Sequence, residues 1–160
     1  MKDLGKTLRA EKIQNLKLRE PLAIPHSTTL KDVLERMKAE SRGYAVILKG
    51  KKVVGIFTER DALMRVAGQG PGYKESLSDP IEKFMTPDPK CLTLEASVAD
   101  VIRLMSERSY RHVPLLNDKG ELQATVGVRD LLGFLAEHFP YEVYNLPPNP
   151  QQVPLSAEGA

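Results

Sequence analysis

Residues 27–48, STTLKDVLERMKAESRGYAVIL, return as residues 95–116, EASVADVIRLMSERSYRHVPLL. The match keeps a constant separation of 68 positions, pairing Asp32 with Asp100, Met37 with Met105, Ser41 with Ser109 and Leu48 with Leu116. One inserted residue between Asp118 and Glu121 moves the separation to 69. GIFTERDALMRVA from Gly55 then aligns with ATVGVRDLLGFLA from Ala124, pairing Arg60 with Arg129 and Asp61 with Asp130. One structural unit is used twice, and self-similarity of this length governs the fold more than any local motif does.

Each copy reads as the same series of elements. Leu22 to Ile24, and Cys91 to Leu94 in the second copy, are short apolar runs of strand type followed by Ser and Thr suited to capping a helix. Leu30, Val33, Leu34 and Met37 recur at three- and four-residue spacing, as do Val98, Val101, Ile102 and Met105, so each helix carries one apolar stripe. Tyr44 to Leu48 and Val113 to Leu116 then pass through the turns KGKK and NDKG into a second strand, Val53 to Phe57 or Leu122 to Val128. A second helix begins at the acidic position, Asp61 or Asp130. The order is β-α-β-β-α, twice, which is an α+β fold.

Composition sets the outer limits. At 160 residues, 41% apolar and 28% charged, the chain has the makings of an ordinary globular core. Its 23 basic and 21 acidic residues are spread along the chain, a weak footprint for nucleic acid. A single cysteine, Cys91, cannot close an internal disulfide, MKDLGKTLRAEKIQ lacks the apolar segment of a secretory signal, and no apolar run is long enough to cross a membrane. The expected address is the cytoplasm.

GQGPGYKESLSDP lacks apolar periodicity and marks the linker, so the division reads 1–15 as an N-terminal extension, 16–67 as the first copy, 68–80 as linker, 81–139 as the second copy and 140–160 as a Pro-rich tail. The tail segment PPNPQQVP suits extended polyproline conformation. Leu4 and Leu8 fall on one side of a helix predicted within the extension. His26, His112, His138 and the one cysteine have no metal-ligand spacing. Neither a phosphate-binding Gly-rich loop nor a nucleophile elbow is present. The sequence points to no catalysis, no metal and no required cofactor.

The residues with chemistry to offer sit at the strand-to-helix turns. A carboxylate such as Asp61 can accept two charge-assisted hydrogen bonds from a vicinal diol, and Thr58 adds a hydroxyl beside it. The plain alternative is that Asp61 and Asp130 only cap helix N-termini. The repeated β-α-β-β-α unit, with G55-IFTERD at one turn and YRHVPLL in the second copy, resembles the CBS-domain pair, or Bateman module, over approximately Leu16 to Phe139. The resemblance implies tandem domains packed about a pseudo-twofold axis, an adenosine-type ligand in the cleft, and Gly-x-x-Thr/Ser-x-x-Asp as the ribose clamp. Gly55, Thr58 and Asp61 match that pattern fully.

In the second copy Asp130 remains, but Gly127 replaces the hydroxyl residue and Ala124 the glycine. The resemblance assigns ribose contacts to Thr58, Asp61 and Asp130, phosphate contacts to Arg111, His112 and Arg129, and the adenine to apolar strand residues near Ile56 and Cys91. The counterparts of Arg111 and His112 are Gly43 and Tyr44, which leaves Arg60 and, one residue out of register, Arg42 as first-copy cations. These placements make the pocket on Thr58 and Asp61, facing the second copy's basic cluster, the stronger of two unequal sites. The implied protein is a non-catalytic sensor of AMP, ADP or ATP, with S-adenosylmethionine as a further candidate ligand. It would act through an effector protein or as a homodimer. Alternatives are an interaction module with a vestigial pocket and, least favoured by the charge balance, a nucleic-acid binder.

Overall fold

The computed structural model describes residues 3–67, 77–140 and 143. The first copy contains β1 (Ala23–Pro25), α2 (Leu30–Ala39), β2 (Tyr44–Lys49), β3 (Lys52–Thr58) and α3 (Glu59–Asp61), which continues as a π-helical turn over Ala62–Val66. It is preceded by α1 (Leu4–Ala10), where the sequence predicts a helix. After β4 (Thr86–Pro87), the second copy contains β5 (Leu92–Thr93), α4 (Val98–Arg108), β6 (His112–Leu116), β7 (Leu122–Gly127) and α5 (Val128–His138). The linker residues 68–76 and nearly all of the Pro-rich tail lie outside the described residues.

The two sheets repeat one design. β1 runs parallel to β2, which forms a hairpin with β3, and β4 adds to the far edge of β3. Likewise β5 runs parallel to β6, which forms a hairpin with β7. Even the irregularities repeat: the register slips between Ile47 and Leu48 and again between Leu115 and Leu116. Helices α2 and α4 are each followed within two residues by a serine held in the left-handed region, Ser41 at φ 50° and Ser109 at φ 55°. At the other end, Thr29 and Ser97 accept hydrogen bonds from Asp32 N–H and Asp100 N–H. The second helices start two residues before the acidic position, with Thr58 and Gly127, three residues before it, as their caps.

Each core takes a piece of chain from outside its own copy. Ile13, within the N-terminal extension, is fully buried among Val98, Val101, Leu115 and Phe134 of the second copy. Its backbone N–H donates to Ala96 C=O, while Val98 N–H donates to Glu11 C=O. Reciprocally, Ile81 and Phe84, which precede the second copy's first strand, are buried with Leu30, Val33 and Phe57 of the first. The bridges Lys12 to Ser97 and Thr29 to Pro80 join repeat-equivalent positions with the copies exchanged, the mark of a pseudo-twofold relation. A smaller cluster of Tyr44, Val46 and Val53 with Cys91, Leu116 and Leu122 seals the halves together. Lys51 and Glu121, 2.8 Å apart, tie the two hairpins.

Candidate functional site

The strand-to-helix turns of the two copies approach one another, and between them lies a cavity of about 330 Å³. That is the size of a small-ligand pocket. The first copy and its leading segment contribute Arg19, Ser41, Arg42, Gly43, Tyr44 and Glu59. From the second copy come His112, Thr125, Gly127, Arg129 and Asp130.

Asp130 enters the cavity because β7 runs into α5 at Gly127. The backbone N–H of Gly127 donates to Asp130 Oδ2 at 2.7 Å, and this is the hydrogen bond the carboxylate accepts among the described residues. The missing hydroxyl at 127 has a steric reason: a β-carbon there would stand 3.1 Å from His112 Cδ2, so a threonine would press on the imidazole. His112 in turn packs against Tyr44, its repeat-equivalent, with ring centroids 4.2 Å apart and the planes tilted by 30°. Two equivalent side chains can touch only near the pseudo-twofold axis, so this pair sits where the copies meet.

Burial pushes the His112 imidazole below its ordinary 6.5, against the opposing pull of Asp130 and Glu59 and with a smaller push from Arg111. His112 is therefore neutral at neutral pH and offers stacking and a neutral hydrogen bond rather than charge. Burial also raises the Tyr44 phenol, although Thr125 and Arg42 close to its hydroxyl and the Arg42 charge pull it down. The cations that line the cavity are Arg19, Arg42 and Arg129, against the acids Glu59 and Asp130. Arg42 is steadied by donating to Glu20 C=O at 2.9 Å, and Glu59 lies against Gly43, where a β-carbon would meet its carboxylate at 3.2 Å.

The surroundings of Thr58 and Asp61 are different. Asp61 Oδ2 accepts from Thr58 N–H at 3.0 Å and from the Thr58 hydroxyl at 2.8 Å. Its Oδ1 accepts from the Thr86 hydroxyl at 3.1 Å and lies 3.5 Å from Arg65 Nε. The same guanidinium donates to Phe84 C=O and Met85 C=O, pinning that segment across the turn. Met85 sits directly over Gly55, whose missing β-carbon would overlap its sulfur. Both carboxylate oxygens of Asp61 are engaged inside the protein.

Of the residues expected at a ligand site, the structure thus brings together His112, Arg129 and Asp130. The arrangement departs from the sequence expectation: Thr58 and Asp61 stand outside this cavity, and the basic residues join Asp130 instead. Arg111 is exposed and does not line the cavity. Ile56 pairs with Thr86 in the first sheet, and Cys91 packs in the cluster between the halves, donating to Pro89 C=O. Sequence reading did not anticipate Arg19, Ser41, Glu59 or Thr125, and of these only Thr125 left a signal, a hydroxyl aligned with Ile56 in an apolar strand. Among the described residues no helix is long and apolar enough to cross a membrane.

Two β-α-β-β-α copies that exchange leading segments and enclose a polar cleft define a tandem two-domain module. The chain belongs to the CBS-domain family, whose sequence pattern it matches over residues 13–68 and 81–137. Among curated relatives it is 28% identical over 123 residues to an uncharacterized 17.7 kDa protein of Acidianus ambivalens, covering 76% of this chain and 71% of that one. It is also 34% identical over 94 residues to the CBS domain-containing protein CBSCBSPB3 of Arabidopsis thaliana; the match covers 59% of this chain and only 16% of that much longer protein. Among solved structures, the CBS domain protein PAE2072 from Pyrobaculum aerophilum, complexed with AMP, superimposes with a TM-score of 0.67 at 25% identity, covering 79% of this chain and 98% of the other.

Proposed function

We propose that this protein is a cytoplasmic, non-catalytic regulatory module that binds an adenine nucleotide of the AMP, ADP or ATP class in the cavity at Asp130. The observation that carries this reading is the Asp130 carboxylate, holding one internal hydrogen bond in a cavity that is also lined by Arg129 of its own copy and Arg42 of the other. A carboxylate so placed can accept both hydroxyls of a ribose, and guanidinium groups suit phosphate. The AMP complex of the Pyrobaculum protein supports the ligand class.

Because residues of both copies line the cavity, a bound nucleotide biases their relative placement, and that bias is the signal. Its outlet is an effector protein or self-association. The second helices favour the latter as the means: Leu63 and Met64 on one, and Val128 and Leu132 on the other, are exposed, with Leu63 and Leu132 repeat-equivalent. Exposed apolar residues at matching positions form a surface suited to a homodimer.

Isothermal titration of the protein with AMP, ADP, ATP and S-adenosylmethionine tests the reading. We expect a micromolar response to at least one phosphorylated ligand, weakened about tenfold or more by Asp130→Asn and little changed by Asp61→Asn, whose carboxylate is already engaged. Equal losses from both substitutions would contradict the assignment to Asp130. Silence toward all four ligands would leave the interaction module as the better reading.

A further inference from the structure

Thr125 is 2% exposed, lines the cavity, and buries its hydroxyl oxygen with no hydrogen-bond partner among the described residues. The Tyr44 hydroxyl is close by, yet no bond of ordinary geometry joins the two. Buried polar groups nearly always find partners, and an orphaned one beside a cavity points to a partner that arrives with a ligand. The repeat sharpens the point. The position equivalent to Thr125 in the first copy is Ile56, an apolar residue paired with Thr86. The hydroxyl stands in the copy whose strand lines this cavity.

We propose that Thr125 is a specificity-determining residue whose Oγ1 hydrogen-bonds the heteroatom edge of the purine base. This deepens, and rests on, the nucleotide reading of the Asp130 cavity. Thr125 and Gly127 are two residues apart on β7 and both line the cavity, so they share one side of the strand. Their separation along it is about 6.6 Å. A ribose held at Asp130, beside Gly127, therefore places a flat base of purine length along the strand at Thr125. The charged ends of Arg19 and Arg129 belong to exposed residues, which directs phosphate to the mouth and base to the interior. Threonine can donate to a ring nitrogen or accept from an exocyclic amine, where isoleucine could do neither.

The test is titration calorimetry of the full chain with AMP, ribose 5-phosphate as a baseless control, and melting of the unliganded protein. Thr125→Val, nearly isosteric, should weaken AMP about five- to tenfold, and Thr125→Ser should bind within about twofold of the parent. Ribose 5-phosphate should bind both variants as it binds the parent, and the unliganded Val variant should melt no lower than the parent. If the parent binds AMP and the Val variant binds it equally well, the base contact is wrong while the nucleotide reading stands. A Val variant that melts lower and is restored by serine would show a hydroxyl serving Tyr44, which also overturns the proposal. A parent protein that binds no AMP would remove the reading and the inference together.

Discussion

At the scale of single residues, the asymmetry between the copies comes from what sits over each carboxylate. Asp61 is enclosed because Gly55 lets Met85 close in and because Arg65 reaches both Asp61 and the carbonyls of residues 84 and 85. On the other side Ala124 replaces Gly55, and the position equivalent to Met85 is Lys17, which does not line the cavity. His112 belongs to this scale as well. Its folded-state value lies below the unfolded 6.5, so the unfolded chain takes up a proton first as pH falls. The corresponding stability is present above pH 6.5 and is lost as pH drops through the lower folded-state value. Replacing His112 with Gln should flatten thermal stability against pH across that window, as differential scanning at a series of pH values would show; an unchanged slope would mean that the imidazole titrates as if solvated.

The elements owe their bounds to local chemistry, which is why most of them are legible in the amino-acid sequence. The apolar spacing of α2 and α4, the Thr and Ser ahead of them and the Gly-containing hairpin turns are signals within a few residues of what they control. In α4 the box is reciprocal: Ser97 Oγ accepts from Asp100 N–H at 3.1 Å, and Asp100 Oδ2 accepts from Ser97 N–H at 3.1 Å and from its hydroxyl at 2.7 Å. Those bonds hold the Asp100 carboxyl below its ordinary value. Ser97→Ala should cost about 1 kcal/mol in chemical denaturation. A loss near zero would mean that the Lys12 to Ser97 bridge positions the helix without the cap. Less legible is the second helix of the first copy, whose continuation past Asp61 takes π-helical form where the sequence resembles α5. Arg65, at the end of that turn, is drawn to the 84–86 segment, a partner some twenty residues away that periodicity does not announce.

For the whole molecule the consequential feature is the exchange of leading segments. A reading by sequence boundaries divides the chain at its linker, yet Ile13 completes the core of the second copy and Ile81 that of the first. The two copies are thereby made interdependent, and a displacement in one is transmitted to the other through packed side chains. Ile13→Ala should destabilise the protein by about 2–5 kcal/mol, the range for truncating a buried aliphatic residue. The loss should appear as one cooperative transition in denaturant. Two separated transitions, with only the second copy weakened, would show that the halves fold independently.

From the sequence alone came the duplication, the order of elements, the membership they imply and the carboxylates at the two turns, because periodicity, capping and turn chemistry act between near neighbours. That Asp130 faces an open cavity was decided by tertiary structure. Met85 on Gly55, Arg65 on the carbonyls of residues 84 and 85, His112 on Tyr44 and the orphaned hydroxyl of Thr125 all depend on residues brought together by the tertiary packing. Contacts across such separations leave no spacing to read, and the motif that looks most complete in the sequence is the one whose hydrogen bonds are already satisfied from within.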